Sequence, residues 1–277
     1  MNYRHDFHAG SFADVFKHAV FCRILDYLRQ KPAAFRVIDI HAGSGIYNLA
    51  GEEATRGGEW QDGIGRVMQA TFSEEAAALL KPYLDVIGAL NEPGRLRSYP
   101  GSPALARAWL RPQDRLIACE LDETAARSLA YHLRGDARIK CLAIDGWTAW
   151  SAYIPPVERR GIVLVDPAFE QEGEYRRLAH EFAGIHAIWY PIKGRPEPDA
   201  LAKSIRKLAP AKILRAELTV STLADPSRLN GSGLIIANPP WTLQRDLSVM
   251  LPELLRVLRR DDRAGYRVDW LAGERAA

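Results

Sequence analysis

Cysteine is scarce in this 277-residue chain: Cys22, Cys119 and Cys141 stand far apart, in apolar surroundings and without C-x-x-C spacing. That pattern argues against a disulfide framework and a zinc site, and it sets an expectation of reduced, buried thiols in a cytoplasmic protein. Long apolar runs are missing as well. No stretch reaches the roughly 18 residues that would span a bilayer, and Met1 to His8 (M-N-Y-R-H-D-F-H) lacks the apolar centre of a secretory signal, so no membrane partner is expected. Neither sign of charge dominates: 37 Lys and Arg face 34 Asp and Glu, for a net charge of +3. A balance this mildly basic is compatible with a polyanionic partner without identifying one. Internal repeats and low-complexity linkers are absent too. What remains is a globular composition, 47% hydrophobic and 26% charged, enough for one large α/β domain or two small ones.

What is present is organised around Phe35 to Tyr47, F-R-V-I-D-I-H-A-G-S-G-I-Y. An apolar run carrying one acid leads into a turn with two glycines, and the apolar character then resumes. This reads as a strand, a tight turn and the start of a helix. Gly43 and Gly45 permit the positive φ angles and close backbone approach that a nucleotide-like ligand requires, although dinucleotide enzymes, methyltransferases and plain βα turns all share Gly-x-Gly. Upstream, Ser11 caps a helix with Asp14 at the capping-box offset and Val15, Ala19, Cys22 and Leu25 at helical spacing. Lys17 and His18 lie inside it, and the pattern alone reads them as a solvated lysine and a packed core histidine. His5 and His8 have H-x-x-H spacing, but no nearby cluster completes a ligand set, so a surface or substrate contact is expected rather than a metal.

Residues 50–99 have a different texture, without a convincing strand and with a helix at Ser73 to Leu90 that Pro82 interrupts. They read as a helical insertion set into a domain formed by residues 1–49 and 100–277. Y-P-G-S-P then opens a helix with Ser102 as N-cap and Pro103 at the first helical position. From Leu116 onward strands and helices alternate: strands at 116–120, 139–144, 162–165, 187–190, 213–220 and 234–237, helices at 124–134, 175–183, 200–208 and 247–258, and a terminal segment at 266–271. Alternation at this spacing implies βαβ units and a mainly parallel sheet covered on both faces.

Parallel strands bring their carboxyl ends to one edge, so four strand ends converge: the Gly43 turn, Glu120 in A-C-E-L-D, Asp145-Gly146, and Asp166-Pro167-Ala168-Phe169. A dinucleotide enzyme would carry a third glycine where Asn48 stands, and a ribose-binding acid about 20 residues further on; here the next strand-end acid is Glu120. An adenosine cofactor without a pyrophosphate fits better, and S-adenosylmethionine is the expectation, with its ribose on Glu120 and its adenine near Asp145. Amino-methyltransferases place a D/N-P-P-aromatic tetrad at such a strand end, where it binds an exocyclic amine and stacks on a flipped base. Asp166, Pro167 and Phe169 are the expected catalytic group, with Ala168 in place of the second proline. Asn238-Pro239-Pro240-Trp241 matches the tetrad better, but it follows a distant strand and is read as a structural turn with Trp241 packed.

The ordered set Y-R-H-x-F-H-A-G-x-x-A-D-V-x-K-H (Tyr3 to His18), H-A-G-x-G, Y-P-G-S-P, the Glu120 strand end, Asp145-Gly146, R-R-G-x-x-L-x-D-P (Arg159 to Pro167), W-Y-P (Trp189 to Pro191) and N-P-P-W resembles the bacterial 23S rRNA adenine-N6 methyltransferases of the J type. The resemblance implies a Rossmann-like class I S-adenosylmethionine methyltransferase fold, with a mainly parallel seven-stranded sheet and a small helical insertion. It implies methylation of N6 of a flipped-out adenine in 23S rRNA, with Asp166 catalytic. Cofactor contacts are expected from Lys17, His18, His41, Gly43, Gly45, Ser102, Glu120, Asp145, Gly146 and Asp166, and RNA contacts from Tyr3 and Arg4. No metal is expected, and the partner is taken to be naked or early-assembly 23S rRNA bound by a monomer. Family members usually carry D-P-P-Y where this chain has D-P-A-F. Arg4, Arg56, Arg66, Arg95 and Arg97 are read as flanking the cleft, and Lys203, Arg206, Lys207 and Lys212 as a solvated helix face. The competing readings are a DNA adenine-N6 or cytosine-N4 methyltransferase, an RNA-binding protein of this fold with weak turnover, and a dinucleotide oxidoreductase.

Overall fold

The computed structural model describes residues 7–167, 184–208 and 212–273. Helix α1 spans Phe12–Arg29; the Ser11 hydroxyl accepts the Asp14 amide, and the Asp14 carboxylate reaches one residue beyond the usual capping box to the Gly10 N–H at 3.0 Å. It is buried on nearly all sides, as a helix threaded through a core must be. Lys17 is therefore 4% exposed, and the solvated lysine expected from the pattern is corrected.

Strand β1 (Arg36–Asp39) follows, and the segment after the glycine turn is a strand, β2 (Ile46–Asn48), where a helix start was expected. Ile46 and Tyr47 favour a pleated surface, and β2 pairs antiparallel with β3 (Ser98–Pro100), a strand in a region that had shown none. The stretch between them holds α2 (Glu52–Gly57), a helical segment at Gln61–Gly65 that kinks at Gly63, α3 (Arg66–Gln69) and α4 (Glu74–Ala89), so the chain leaves and returns side by side. Pro82 lies inside α4, and Leu80, Tyr83 and Ile87 share one hydrophobic cluster with α1.

The remainder runs α5 (Ser102–Trp109), β4 (Arg115–Cys119), α6 (Glu123–Leu133), β5 (Ile139–Leu142), α7 (Gly146–Tyr153), β6 (Gly161–Val165), β7 (Ile185–Ile192), α8 (Pro196–Leu208), β8 (Ile213–Thr219), β9 (Gly231–Ala237), α9 (Leu243–Leu258) and β10 (Gly265–Ala272). The helix expected at 175–183 lies outside the described residues. Gly101, not Ser102, caps α5. Eight strands form the main sheet in the order β10-β8-β9-β7-β6-β1-β4-β5, one more than expected, because the terminal segment 265–272 joins as an edge strand. β5, β4, β1, β6 and β7 are parallel, whereas β9 runs antiparallel to β7 and β8 antiparallel to β9.

Alternate strand residues feed two layers. Val37, Leu116, Ile162 and Leu164 pack with α1, α5 and α9. Ile38, Val163, Val165 and Ile188 pack with Trp147 and Trp150 of α7 and Leu201 and Ile205 of α8. Helices on both faces leave only the strand ends open, which is where an open α/β sheet binds its ligand.

Candidate active site

At the carboxyl edge of β1, β4, β5, β6 and β7 a cleft of about 2120 Å³ opens, lined by Lys17, His18, His41, Gly43, Ser102, Glu120, Asp145, Gly146, Asp166 and Pro167 among others. Ten of the residues predicted from the sequence thus meet at one site. Gly45 sits just behind the wall, with φ +84° and its carbonyl accepting the Gly101 amide at 2.8 Å. Tyr3, Arg4 and Phe169, together with Ala168, lie outside the described residues.

The glycine turn is held from three sides. Glu120 accepts the Gly43 N–H at 2.8 Å on one carboxylate oxygen and the Asp122 N–H at 2.8 Å on the other. The Tyr47 hydroxyl accepts the Ser44 N–H at 3.2 Å, and the Ser44 carbonyl meets His132 Nδ1 at 2.8 Å. With φ +61° at Gly43, a side chain there would be strained and would collide with the Tyr47 hydroxyl. Asp145 caps α7, accepting the Thr148 amide at 2.9 Å and its hydroxyl at 3.1 Å. Gly146 is required for a different reason: a Cβ there would lie 2.3 Å from the Ile40 carbonyl oxygen.

Acidic and basic groups are concentrated beneath this turn. Lys17 Nζ donates to Asp166 Oδ2 at 2.5 Å and lies 3.0 Å from Asp14 Oδ1, with the Trp189 ring 5.8 Å away. Burial alone pushes the Lys17 ammonium down, and the two carboxylates more than reverse it, holding the cation charged. The Asp166 N–H donates to His41 Nδ1 at 3.3 Å, which makes Nδ1 an acceptor and leaves the imidazole proton on Nε2. Burial lowers the His41 pKa to about 4, so the ring is neutral at pH 7. Asp39 is fully buried, and desolvation raises its carboxyl to about 7, against the opposing pull of the Ser102 hydroxyl and the His41 amide. His18 stacks on Tyr99, and its Nδ1 meets the Tyr99 hydroxyl at 2.7 Å, which in turn meets the Tyr83 hydroxyl at 2.9 Å. His18 is therefore a buried polar group wired through Tyr99 of β3 to Tyr83 of α4.

Two expectations change. Asn238 to Trp241 follows β9, which is antiparallel to β7, and so falls at the opposite edge of the sheet, beside Gly161, Gly184 and Ile185. Asn238 takes φ +51° and bonds Gly184 O at 3.2 Å, as a structural turn should, but Trp241 is 81% exposed and not packed. The cleft's basic residues are also other than expected: Arg66 pairs with Asp62 at 2.5 Å and Arg95 with Glu92, whereas Lys193, Lys207, Arg228 and Arg260 line the cleft. His8 pairs with Glu59 at 3.0 Å. Cys141 is only half-buried. Among the described residues no three His, Cys, Asp or Glu side chains cluster as a metal site, and no helix is long and apolar enough to cross a membrane.

Sequence reasoning had missed Asp14 as a site residue, Tyr47, Tyr83, Tyr99 and Asp39. The signals were there for two of them: Asp14 and Lys17 share a helix face at i, i+3, and Asp39 is a lone acid in an apolar strand.

The family described as "Ribosomal RNA large subunit methyltransferase D, RlmJ" matches residues 32–272. The chain belongs to this family. Two proteins named ribosomal RNA large subunit methyltransferase J are similar to it over their full length: one from Escherichia coli is 36% identical over 99% of this chain and 100% of its own length. The other, from Haemophilus influenzae, is 35% identical over 99% of this chain and 100% of its own. Among solved structures, protein LPL1258 from Legionella pneumophila superposes with a TM-score of 0.85 at 30% identity, covering 95% of this chain and 98% of that one. A member of this family is a methyltransferase, here built on an open, mainly parallel α/β sheet covered by helices on both faces.

Proposed function

We propose that the protein transfers a methyl group from S-adenosylmethionine to the exocyclic N6 of an adenine in 23S rRNA. The observation that carries this reading is the ion chain from buried Asp14 and Lys17 to half-buried Asp166, set at the strand edge beside the glycine turn in a member of a large-subunit rRNA methyltransferase family. The residues present fit an adenosine cofactor: two strand-end carboxylates, a backbone turn with φ +61° at its centre, and a Gly146 position that admits no Cβ. Glu120 and Asp145 would hold the ribose and adenine, and the Gly43 turn, Ser102, His18 and the Nε2–H of His41 the amino-acid end. When bound, the cofactor supplies an electrophilic methyl group on a sulfonium.

The remaining work falls to the chain. Lys17 occupies Asp166 Oδ2, which leaves Oδ1 to accept a hydrogen bond from the target amine and aim its lone pair. Asp166 then takes up the proton released as the N–C bond forms. Lys17 acts as a positioning residue, because its ammonium is saturated by the two carboxylates. Phe169 stacks on the flipped base and Tyr3 and Arg4 touch RNA, while the 50–99 insertion serves as a subdomain walling the cleft. The setting is cytoplasmic, the enzyme a monomer, and the RNA naked or in early assembly.

The test is transfer of labelled methyl from S-adenosylmethionine to 23S rRNA taken from cells lacking the enzyme, with nucleoside mass spectrometry of the product. N6-methyladenosine should form, and Asp166→Ala should abolish it while sparing binding of S-adenosylhomocysteine. Absence of methyl transfer by the unaltered protein would overturn the reading; N6-methyladenine or N4-methylcytosine formed only in DNA would replace it with the DNA alternative.

A further inference from the structure

Away from the cofactor end, the cleft is walled by Lys193, Lys207, Arg228 and Arg260. All four are exposed, and among the described residues none of them makes an ion pair. Two acids offset them in part, Glu197, which also lines the cleft, and Asp225, which interacts with Arg228, so four cations against two acids leave this wall positive on a protein whose net charge is only +3. Unpaired exposed cations clustered in one place are self-repelling, and a polyanion relieves that cost.

Topology explains why they meet. β8 runs in the same sense as β7, because both are antiparallel to β9, so the β8–β9 connection returns to the carboxyl edge where β7 ends. β10 is antiparallel to β8 and begins at that same edge, bringing the end of α9 with it. Backbone bonds lock these pieces together. Buried Asn230 donates its amide group to the carbonyls of Lys193 at 2.9 Å and Asp225 at 2.7 Å. Its own N–H bonds Ile192 O at 3.0 Å, Val220 N–H bonds Asn230 O at 2.8 Å, and Arg260 N–H bonds Val220 O at 2.7 Å. Lys193, Arg228 and Arg260 thus project from one braced unit, and Arg260 is further placed by the Phe12 ring, 5.1 Å from its guanidinium. Several braced cations lining the same cleft as Asp166 suit a chain of phosphates better than one small anion.

We infer that Lys193, Lys207, Arg228 and Arg260 form the track that holds the phosphodiester backbone of the RNA strand flanking the target nucleotide. This rests on the proposed function and adds to it where the substrate lies: along the α8 and β8–β9 side of the cleft, and not along Arg56, Arg95 and Arg97 of the insertion. Phosphate contacts release counterions, so each one removed should flatten the dependence of log Kd on log salt by about 0.7 for a single strand.

The experiment measures filter binding of an in vitro 23S rRNA transcript to the full chain as salt rises. For Lys193→Ala/Arg228→Ala/Arg260→Ala the slope should fall by about 2, so that between about 50 and 200 mM salt the variant loses roughly 20-fold less affinity than the parent. Arg95→Ala/Arg97→Ala should keep the parental slope. S-adenosylhomocysteine binding, followed by calorimetry, should be unchanged in both variants, which guards against misfolding; a variant that fails this check is replaced by single substitutions, each expected to lower the slope by about 0.7. An unaltered slope in the triple variant, or a fall confined to the insertion variant, overturns the inference. If the parent binds with the predicted slope change yet methylates nothing, the function falls and the track stands. If it methylates the transcript and the slope does not move, the track alone falls.

Discussion

Replacing Lys17 with methionine preserves the length of the side chain and removes its charge between two acids. The ammonium lies 3.0 Å from Asp14 and 2.5 Å from Asp166, at 4% exposure. At an effective dielectric constant of about 20, each contact carries about 6 kcal/mol of gross attraction. Most of that repays the cost of dehydrating the three groups, but the substitution leaves both carboxylates in place without their counter-charge, a change that costs about 3–5 kcal/mol in buried pairs. Lys17→Met should therefore lower the unfolding free energy by about that amount in urea titrations at pH 7.5. A lysine on a solvated face would change it by no more than about 0.5 kcal/mol. The doubly substituted Lys17→Met/Asp14→Asn chain should regain at least about 1 kcal/mol, because one of the stranded charges is gone. In single-turnover methyl transfer both variants should be slow, since Asp166 has lost the contact that fixes its rotamer. A loss below about 1 kcal/mol, or additive effects in the double variant, would show that the ion chain does not hold the site together.

Gly146→Ala puts a methyl group against the Ile40 carbonyl oxygen, where only 2.3 Å is available to it. Because that neighbour is backbone, α7 must retreat from the glycine turn; we expect about 1–3 kcal/mol of destabilisation and weaker S-adenosylhomocysteine binding by calorimetry, and unchanged affinity would refute the close packing. Acid should also weaken the fold through His186, which is 4% exposed and whose pKa burial lowers from 6.5 to about 4. The folded state binds fewer protons there than the unfolded one, so the stability is complete above pH 6.5 and is lost as pH falls toward 4, by about 2 kcal/mol at pH 5. His41 shifts the same way, while Asp39, raised to about 7, opposes both. Comparing urea midpoints of the parent and His186→Gln at pH 7 and 5 isolates the His186 share; equal pH dependence in the two would sink it.

Much of the architecture was readable because strand–helix alternation is encoded locally. The carboxyl-edge convergence of His41, Glu120, Asp145 and Asp166 needed only the assumption of parallel strands. What was missed depends on pairing across long distances. Ile46 to Asn48 becomes a strand because Ser98 to Pro100 comes back to meet it, and nothing within either segment says so. Lys17 and His18 were assigned to solvent and core by periodicity, which assumes a helix with one wet face; α1 has scarcely any, so its polar residues must find partners inside. The basic track escaped notice because Lys193, Arg228 and Arg260 are far apart in sequence and unite only through the antiparallel return of β8, β9 and β10. The same reversal disqualifies Asn238 to Trp241: its pattern is good, but its strand points the other way.

The Lys17–Asp166 contact closes a loop of 149 residues, and the strands on which it depends, β1 and β6, are paired across nearly as long a stretch of chain. Contacts of such sequence separation are late events in folding, since most of the chain's loop-closure entropy must be spent before they form. After dilution from denaturant, helical signal should therefore return before methyl-transfer competence does. Recovery of activity then serves as a clock for completion of the central sheet.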